Sequence, residues 1–230
     1  MIPTYKKALI IGAGAGLSAS LARLFAAKGL GVALASRDTS DLGDLAAETG
    51  ASLHSCDASS HEDVGALVAA TVPDVLVYNP SARVRGPVQD LDPDAVTKAV
   101  QITALGAFYA AQSAAKRMLP NGHGALLFTG ASAGVKGFPN SSSFAMGKFA
   151  LRGLCQSLAR ELHPKGIHVG HFVIDGGIRN PARPERIDDE DNPDSMLCPD
   201  AIARSYWHFL EQDRSSWAWE IELRPWVERF

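Results

Sequence analysis

Three glycines stand two residues apart in Gly12-Ala13-Gly14-Ala15-Gly16, and Leu17-Ser18 follow them. The apolar run Ala8 to Ile11 precedes the cluster, and an apolar-periodic stretch succeeds it. A strand that turns tightly into a helix needs glycine, because side chains would block the turn and the close approach of backbone to a pyrophosphate. The helix start then offers free N–H groups and the positive end of its dipole to phosphates. Without a ligand, the same glycines make only a tight turn. The spacing predicts that Gly12, Gly14, Gly16 and Leu17 cradle a dinucleotide.

A second chemical signal lies one βα unit later, at Ser36-Arg37. An acidic residue at this strand end binds ribose hydroxyls and favours NAD; a basic one accommodates the 2′-phosphate of NADP. Asp38 follows, yet the strand end itself carries a hydroxyl and a guanidinium. The reading is NADP, against an arginine that merely caps a surface turn. Arg83 and Arg85 follow the fourth strand, and Arg179 and Arg183 lie in the 178–199 stretch; all could meet an anionic substrate, but scattered surface arginines are the commoner explanation. His171 sits inside an apolar run and reads as a core histidine rather than a base. Ser141, Ser142 and Ser143 read as helix-capping serines.

These groups need a scaffold to hold them. Apolar runs at Lys7–Ile11, Gly31–Ser36, Ser52–Cys56, Val75–Tyr78, Ala125–Thr129 and Ile167–Ile174 read as strands. Helical periodicity covers Leu17–Lys28, Leu42–Thr49, His61–Ala70, Asp94–Leu119, Phe144–Leu162 and Ala201–Leu210. Continuous apolar strands that alternate with amphipathic helices predict an α/β fold with a doubly wound, mostly parallel sheet of Rossmann type, helices on both faces. A single domain is expected over residues 1–230. The proline-rich and acidic stretch 178–199 reads as a substrate-side loop. Trp217, Trp219, Ile221 and Leu223 alternate with Ala218, Glu220 and Glu222, which predicts an edge strand with one apolar face.

The chain has 230 residues, 46% of them hydrophobic, and a net charge of −3. That is enough apolar material for a core, and it carries no basic excess for nucleic acid. Cys56, Cys155 and Cys198 are far apart, and no H-E-x-x-H occurs. Neither a disulfide framework nor a metal site is expected, and a reducing cytoplasmic setting fits. The apolar run after Lys6-Lys7 is too short for a signal or a membrane span.

As a set, several motifs resemble the short-chain dehydrogenase/reductase family over about residues 6–178. Gly12-x-x-x-Gly16-x-Ser18 is similar to its glycine motif, with Ser18 for the last glycine. Cys56-Asp57 resembles its adenine-contacting aspartate, and Tyr78-Asn79-Pro80-Ser81 stands where it has N-N-A-G. Ala133-Gly134, Gly137 and Pro139 resemble a further stretch. Lys148, Leu158-Ala159-Arg160-Glu161-Leu162 and Gly166-Ile167-His168-Val169 follow as they do in the family. Asp175-Gly176-Gly177-Ile178 replaces its P-G-x-[IV]. The resemblance implies NADP(H) held by Gly12, Gly14, Gly16, Leu17, Ser36, Arg37, Asp57, Asn79, Lys148, Gly176 and Ile178.

In that family a Tyr-x-x-x-Lys pair, a serine and an asparagine act together. The lysine binds the nicotinamide ribose and lowers the tyrosine pKa; the tyrosine moves the proton and the serine polarises the carbonyl. Aligned on these motifs, the tyrosine position is Phe144, the serine position Ala131 and the asparagine position Thr103. Lys148 alone remains, with Ser132 as a neighbouring hydroxyl. The resemblance therefore implies an oxidoreductase for a small carbonyl or hydroxyl compound with non-standard proton chemistry. The alternative is a non-catalytic NADP(H)-binding sensor or partner subunit. A homo-oligomer is expected through the long helices, whose Ala104, Ala107, Ala110 and Ala111 permit close approach.

Overall fold

The computed structural model describes residues 4–180, 182–188 and 191–228. Strands β1 (Lys7–Ile11), β2 (Gly31–Ser36), β3 (Ser52–Ser55), β4 (Val75–Tyr78), β5 (Gly124–Thr129), β6 (Ile167–Ile174) and β7 (Glu220–Leu223) form one sheet. Their order is β3-β2-β1-β4-β5-β6-β7, and every pairing is parallel. The four central strands are wholly apolar or nearly so because helices cover both faces. All eight residues of β6 are buried, as are all six of β5.

Helices α1 (Leu17–Ala27) and α7 (Pro199–Leu210) cover one face, with α2 (Gly43–Thr49) beside α1. The other face carries α3 (His61–Thr71), α5 (Gly106–Met118) and α6 (Ser142–Leu162), with α4 (Pro93–Val100) packed against α6. The α6 stripe Phe144, Gly147, Lys148, Leu151, Cys155, Ala159 and Leu162 is buried at helical spacing. Ser60 caps α3 by accepting from the Asp63 amide; Asp92 caps α4 ahead of Pro93. The chain leaves β1 toward β2 and returns on its other side as β4. A cleft must open at the carboxyl ends of these strands.

Two expectations need correction. The helix expected over Asp94–Leu119 is not continuous: Gln101–Leu105 forms a π turn between α4 and α5. Trp217 and Trp219 precede β7 and do not share its apolar face. Trp217 stacks on His168 at 4.2 Å, whereas Trp219 lies under the Arg152 guanidinium on the α6 side. Ile221 and Leu223 do pack together on the α7 side. The loop over 178–199 carries some local order. Ile178 bridges Leu197, Arg179 pairs with Asp188, and Pro184–Arg186 makes a single turn.

Candidate active site

The glycine turn follows directly from β1. Gly12 has φ +82, and a Cβ there would lie 2.8 Å from Pro80, so only glycine fits. Ser18 Oγ donates to the Gly12 carbonyl at 2.9 Å and accepts from Asn79 Nδ2 at 2.7 Å. Ser18 thus ties the turn to the end of β4, and Asn79 is engaged by this brace. Gly16 caps α1 without a side-chain hydrogen bond. The amides that open α1 therefore have no side-chain acceptor, and they face a cleft of about 340 Å³.

Gly12, Gly14, Gly16, Leu17, Asn79, Lys148, Gly176 and Ile178 all line that cleft. So do Thr129, Gly130, Ala131 and Phe144 from the sheet edge and α6. Ser36, Arg37, Asp57 and Asn79 line an adjoining cleft that shares Gly12 with the first. Every residue expected to hold the cofactor is thereby on one continuous surface. Asp57 accepts from the Ser59 amide and hydroxyl, which hold its carboxyl below the usual range. Arg37 has no carboxylate partner among the described residues, and Ser36 Oγ donates to the Asp38 carbonyl.

Lys148 is buried, and its Nζ donates to the Thr129 carbonyl at 2.6 Å. Burial, with help from the nearby Arg83 charge, pulls its pKa down to about 7. Lys148 Nζ stands 5.8 Å from the centre of the Phe144 ring. Phe144 has no ionisable proton. Ser132 opens a turn after β5 and is not among the residues that line the cleft; Ala131 is.

Two buried side chains fix the segment after β4. Thr103, in the π turn, accepts from the Ala82 amide at 3.2 Å. α6 can approach it because residue 147 is glycine: a Cβ there would lie 2.9 Å from the Thr103 Cβ. Ser143 donates to the Val84 carbonyl at 2.8 Å and accepts from its amide at 3.0 Å. This serine is therefore a clamp between segments, not the helix cap its position suggested; Ser141, at the N-cap, makes no capping bond. Between the two anchored residues stands Arg83, with its guanidinium carbon 3.9 Å from the Phe144 ring centre.

His171 behaves as a core residue. Its Nδ1 lies 2.9 Å from Glu220, which also takes 2.7 and 2.8 Å bonds from Arg152. Burial pushes the His171 pKa down to about 4, despite Glu220. Among the described residues no group of three or more His, Cys, Asp or Glu could hold a metal. No described helix is long and apolar enough to cross a membrane.

Sequence reasoning missed Ser18, Ser143 and the Thr129 carbonyl as builders of the site. The only advance signal was the position of Ser18 in the glycine motif.

Known proteins share this fold. The short chain dehydrogenase family matches residues 6–190. Trans-4-hydroxycyclohexanecarboxylate dehydrogenase of Sinomonas cyclohexanicum is 31% identical over 76% of this chain and 73% of its own length. A match to human 17-beta-hydroxysteroid dehydrogenase type 1 is 38% identical but spans 42% of this chain and 29% of that protein. The crystal structure of a short-chain dehydrogenase from Rhodopseudomonas palustris covers 96% of this chain and 99% of its own, at 32% identity and a TM-score of 0.83. With its all-parallel sheet, its glycine turn and its buried α6 lysine, the chain belongs to the short-chain dehydrogenase family, whose members bind a nicotinamide cofactor.

Proposed function

We propose that the protein is an NADP(H)-dependent oxidoreductase for a small carbonyl or hydroxyl compound, with a proton route other than the family's tyrosine. The observation that carries this reading is the cleft itself. Unshielded α1 amides, Lys148 and Gly176 line the first cleft, whose own lining holds no carboxylate. Such a donor set fits a pyrophosphate and a nicotinamide ribose. When bound, the nicotinamide supplies or takes a hydride.

In this reading Gly14, Gly16 and Leu17 hold the pyrophosphate through backbone. Lys148 holds the nicotinamide ribose, with Thr129 fixing its amine. Ser36 and Arg37 receive the 2′-phosphate. Phe144, Ala131 and Thr103 occupy the family's tyrosine, serine and asparagine positions. Phe144 lines the cleft and offers no proton, so in this reading water or a serine takes the tyrosine's place. Hydride transfer needs mainly aligned partners, which this scaffold supplies.

The test is NADPH oxidation across a broad carbonyl and enone panel, with cofactor binding measured in parallel. Binding with consumption of at least one compound is expected. Binding without turnover on any of them would make the protein a cofactor sensor; no binding at all would refute the reading.

A further inference from the structure

We propose that Arg83 is the anchor for a carboxylate on the substrate, so that the preferred substrates are oxo- or hydroxy-carboxylates rather than neutral carbonyl compounds. This rests on the reading above for the placement of the cofactor; the arginine's own geometry stands apart from it.

Arg83 lines the cleft beside Ala131 and Phe144, and it does not line the adjoining cleft that holds Ser36 and Arg37. Arg183 lines both. Cofactor phosphates can therefore account for Arg183, whereas Arg83 lines only the cleft that holds Phe144 and Lys148. Arg186 joins Arg83, Arg183 and Lys148 on the same lining, which includes no Asp or Glu. Among the described residues no carboxylate pairs with Arg83, Arg183 or Arg186. A guanidinium has five donors in a planar fork. Here one face of that fork lies against an aromatic ring, and the donors are left for a ligand.

The seat is built rather than incidental. Ala82 is held by Thr103, Val84 is held on both backbone groups by Ser143, and the Gly86 amide donates to the Asn140 carbonyl. These bonds fix the backbone on both sides of Arg83, and its exposed side chain rests the guanidinium over the Phe144 ring, a placement that suits a bidentate pair with a planar carboxylate. Burial and the fields of Arg85, Arg186 and Arg183 press its pKa downward, but a guanidinium remains charged at neutral pH. The clustered positive charge also draws anions toward the cleft. Thr103 and Phe144 thus serve the same end. Thr103 fixes the segment that carries Arg83, and Phe144 supports its guanidinium.

The experiment compares 2-oxobutyrate with its neutral shape analogue 2,3-pentanedione. Each is titrated by calorimetry into the protein, with and without NADPH, for wild type, Arg83→Met and Arg83→Lys. The wild type is expected to bind the carboxylate about 10–100-fold more tightly than the dione. Arg83→Met should erase that preference and leave the NADPH affinity within about twofold. Arg83→Lys should keep part of the preference, and unchanged melting temperatures will show that the variants fold. Equal binding of the two probes, no saturable carboxylate binding, or a preference that survives Arg83→Met overturns the proposal. So does an Arg83→Met variant that loses NADPH and carboxylate alike, since the arginine would then serve the cofactor. Failure of NADPH to bind, with carboxylate preference intact in its absence, would sink the cofactor reading and spare this one.

Discussion

The Lys148 ammonium points at the Thr129 carbonyl from 2.6 Å away, inside a fully buried pair of residues on α6 and β5. A cation at such depth carries a desolvation cost that one carbonyl does not offset.

That cost makes Lys148 a pH-dependent element of stability. Its pKa falls to about 7 in the folded chain, against about 10.4 in an unfolded one. Between those values the unfolded chain binds more protons, so this group's contribution to stability rises with pH. Lys148→Met should therefore gain most over wild type near pH 6 and least near pH 10. Melting temperatures across that range check it, at ~2–4 °C per kcal/mol for a chain of this size. A difference that does not vary with pH would mean that Lys148 stays protonated throughout.

The preference for NADP(H) is expected to rest on Arg37. Its side chain is exposed and lines the cleft with Ser36 and Asp57. A phosphate–guanidinium pair is charge-assisted and often bidentate. Fluorescence titrations should show NADPH bound at least about tenfold more tightly than NADH, with Arg37→Asp reversing the order. Equal affinities in the wild type would remove the basis for this assignment.

Restoring one catalytic group should do little. Phe144 and Ala131 are packed together with Ala133 beside the cleft. General acid catalysis is worth ~10²–10⁴-fold, and a donor to a developing oxyanion ~10²–10³-fold. These effects act as a unit. Phe144→Tyr combined with Ala131→Ser should gain far more NADPH-dependent aldehyde reduction than either single change. If the unaltered protein already turns over at ~1–10³ s⁻¹ on the same aldehyde, another group carries the proton.

Acid should weaken the fold before the carboxylates titrate. His168 is sandwiched between Phe209 at 4.0 Å and Trp217 at 4.2 Å, and burial drives its pKa down to about 3. His171 is held down to about 4. As pH falls from about 6.5, the unfolded chain takes protons that the folded chain refuses, so stability drops by at most about 1.4 kcal/mol per pH unit for each histidine. His168→Phe keeps the stack and should make the fall of melting temperature between pH 6.5 and 4 shallower. An unchanged slope would show that His168 does not titrate on unfolding.

Association is expected through α5 and α6, though not through the alanines first expected to make the contact, because Ala107, Ala110 and Ala111 are buried in the core beneath α5. Leu105, Phe108, Met146 and Phe149 are exposed at 47%, 41%, 56% and 46% on and beside these helices. Apolar side chains clustered this way mark an interface more often than a solvated face. Light scattering at micromolar concentration should give a homo-oligomer, and Phe149→Glu should shift it toward monomer. A wild-type monomer would refute the proposal.

The order of strands and helices was legible along the chain because each is a local matter. Continuous apolar runs such as Val75–Tyr78 are coherent only when buried on both faces, and Gly12 declares a turn by its type alone. The same locality made the end of β2 at Ser36 readable. The π turn at Gln101–Leu105 was not, since it depends on how Thr103 meets Gly147 on another helix. Nor was the side taken by Trp219, which leaves the alternation that Ile221 and Leu223 obey in order to lie under Arg152. Above all, the seat of Arg83 arises only on folding. Ser143 reaches Val84 across 59 residues, Thr103 reaches Ala82 across 21, and Phe144 meets the guanidinium only when α6 packs on the sheet. Hydrogen bonds and ring contacts between segments so far apart leave no periodicity in the chain. Their partners are chosen by the packing of helices on the sheet.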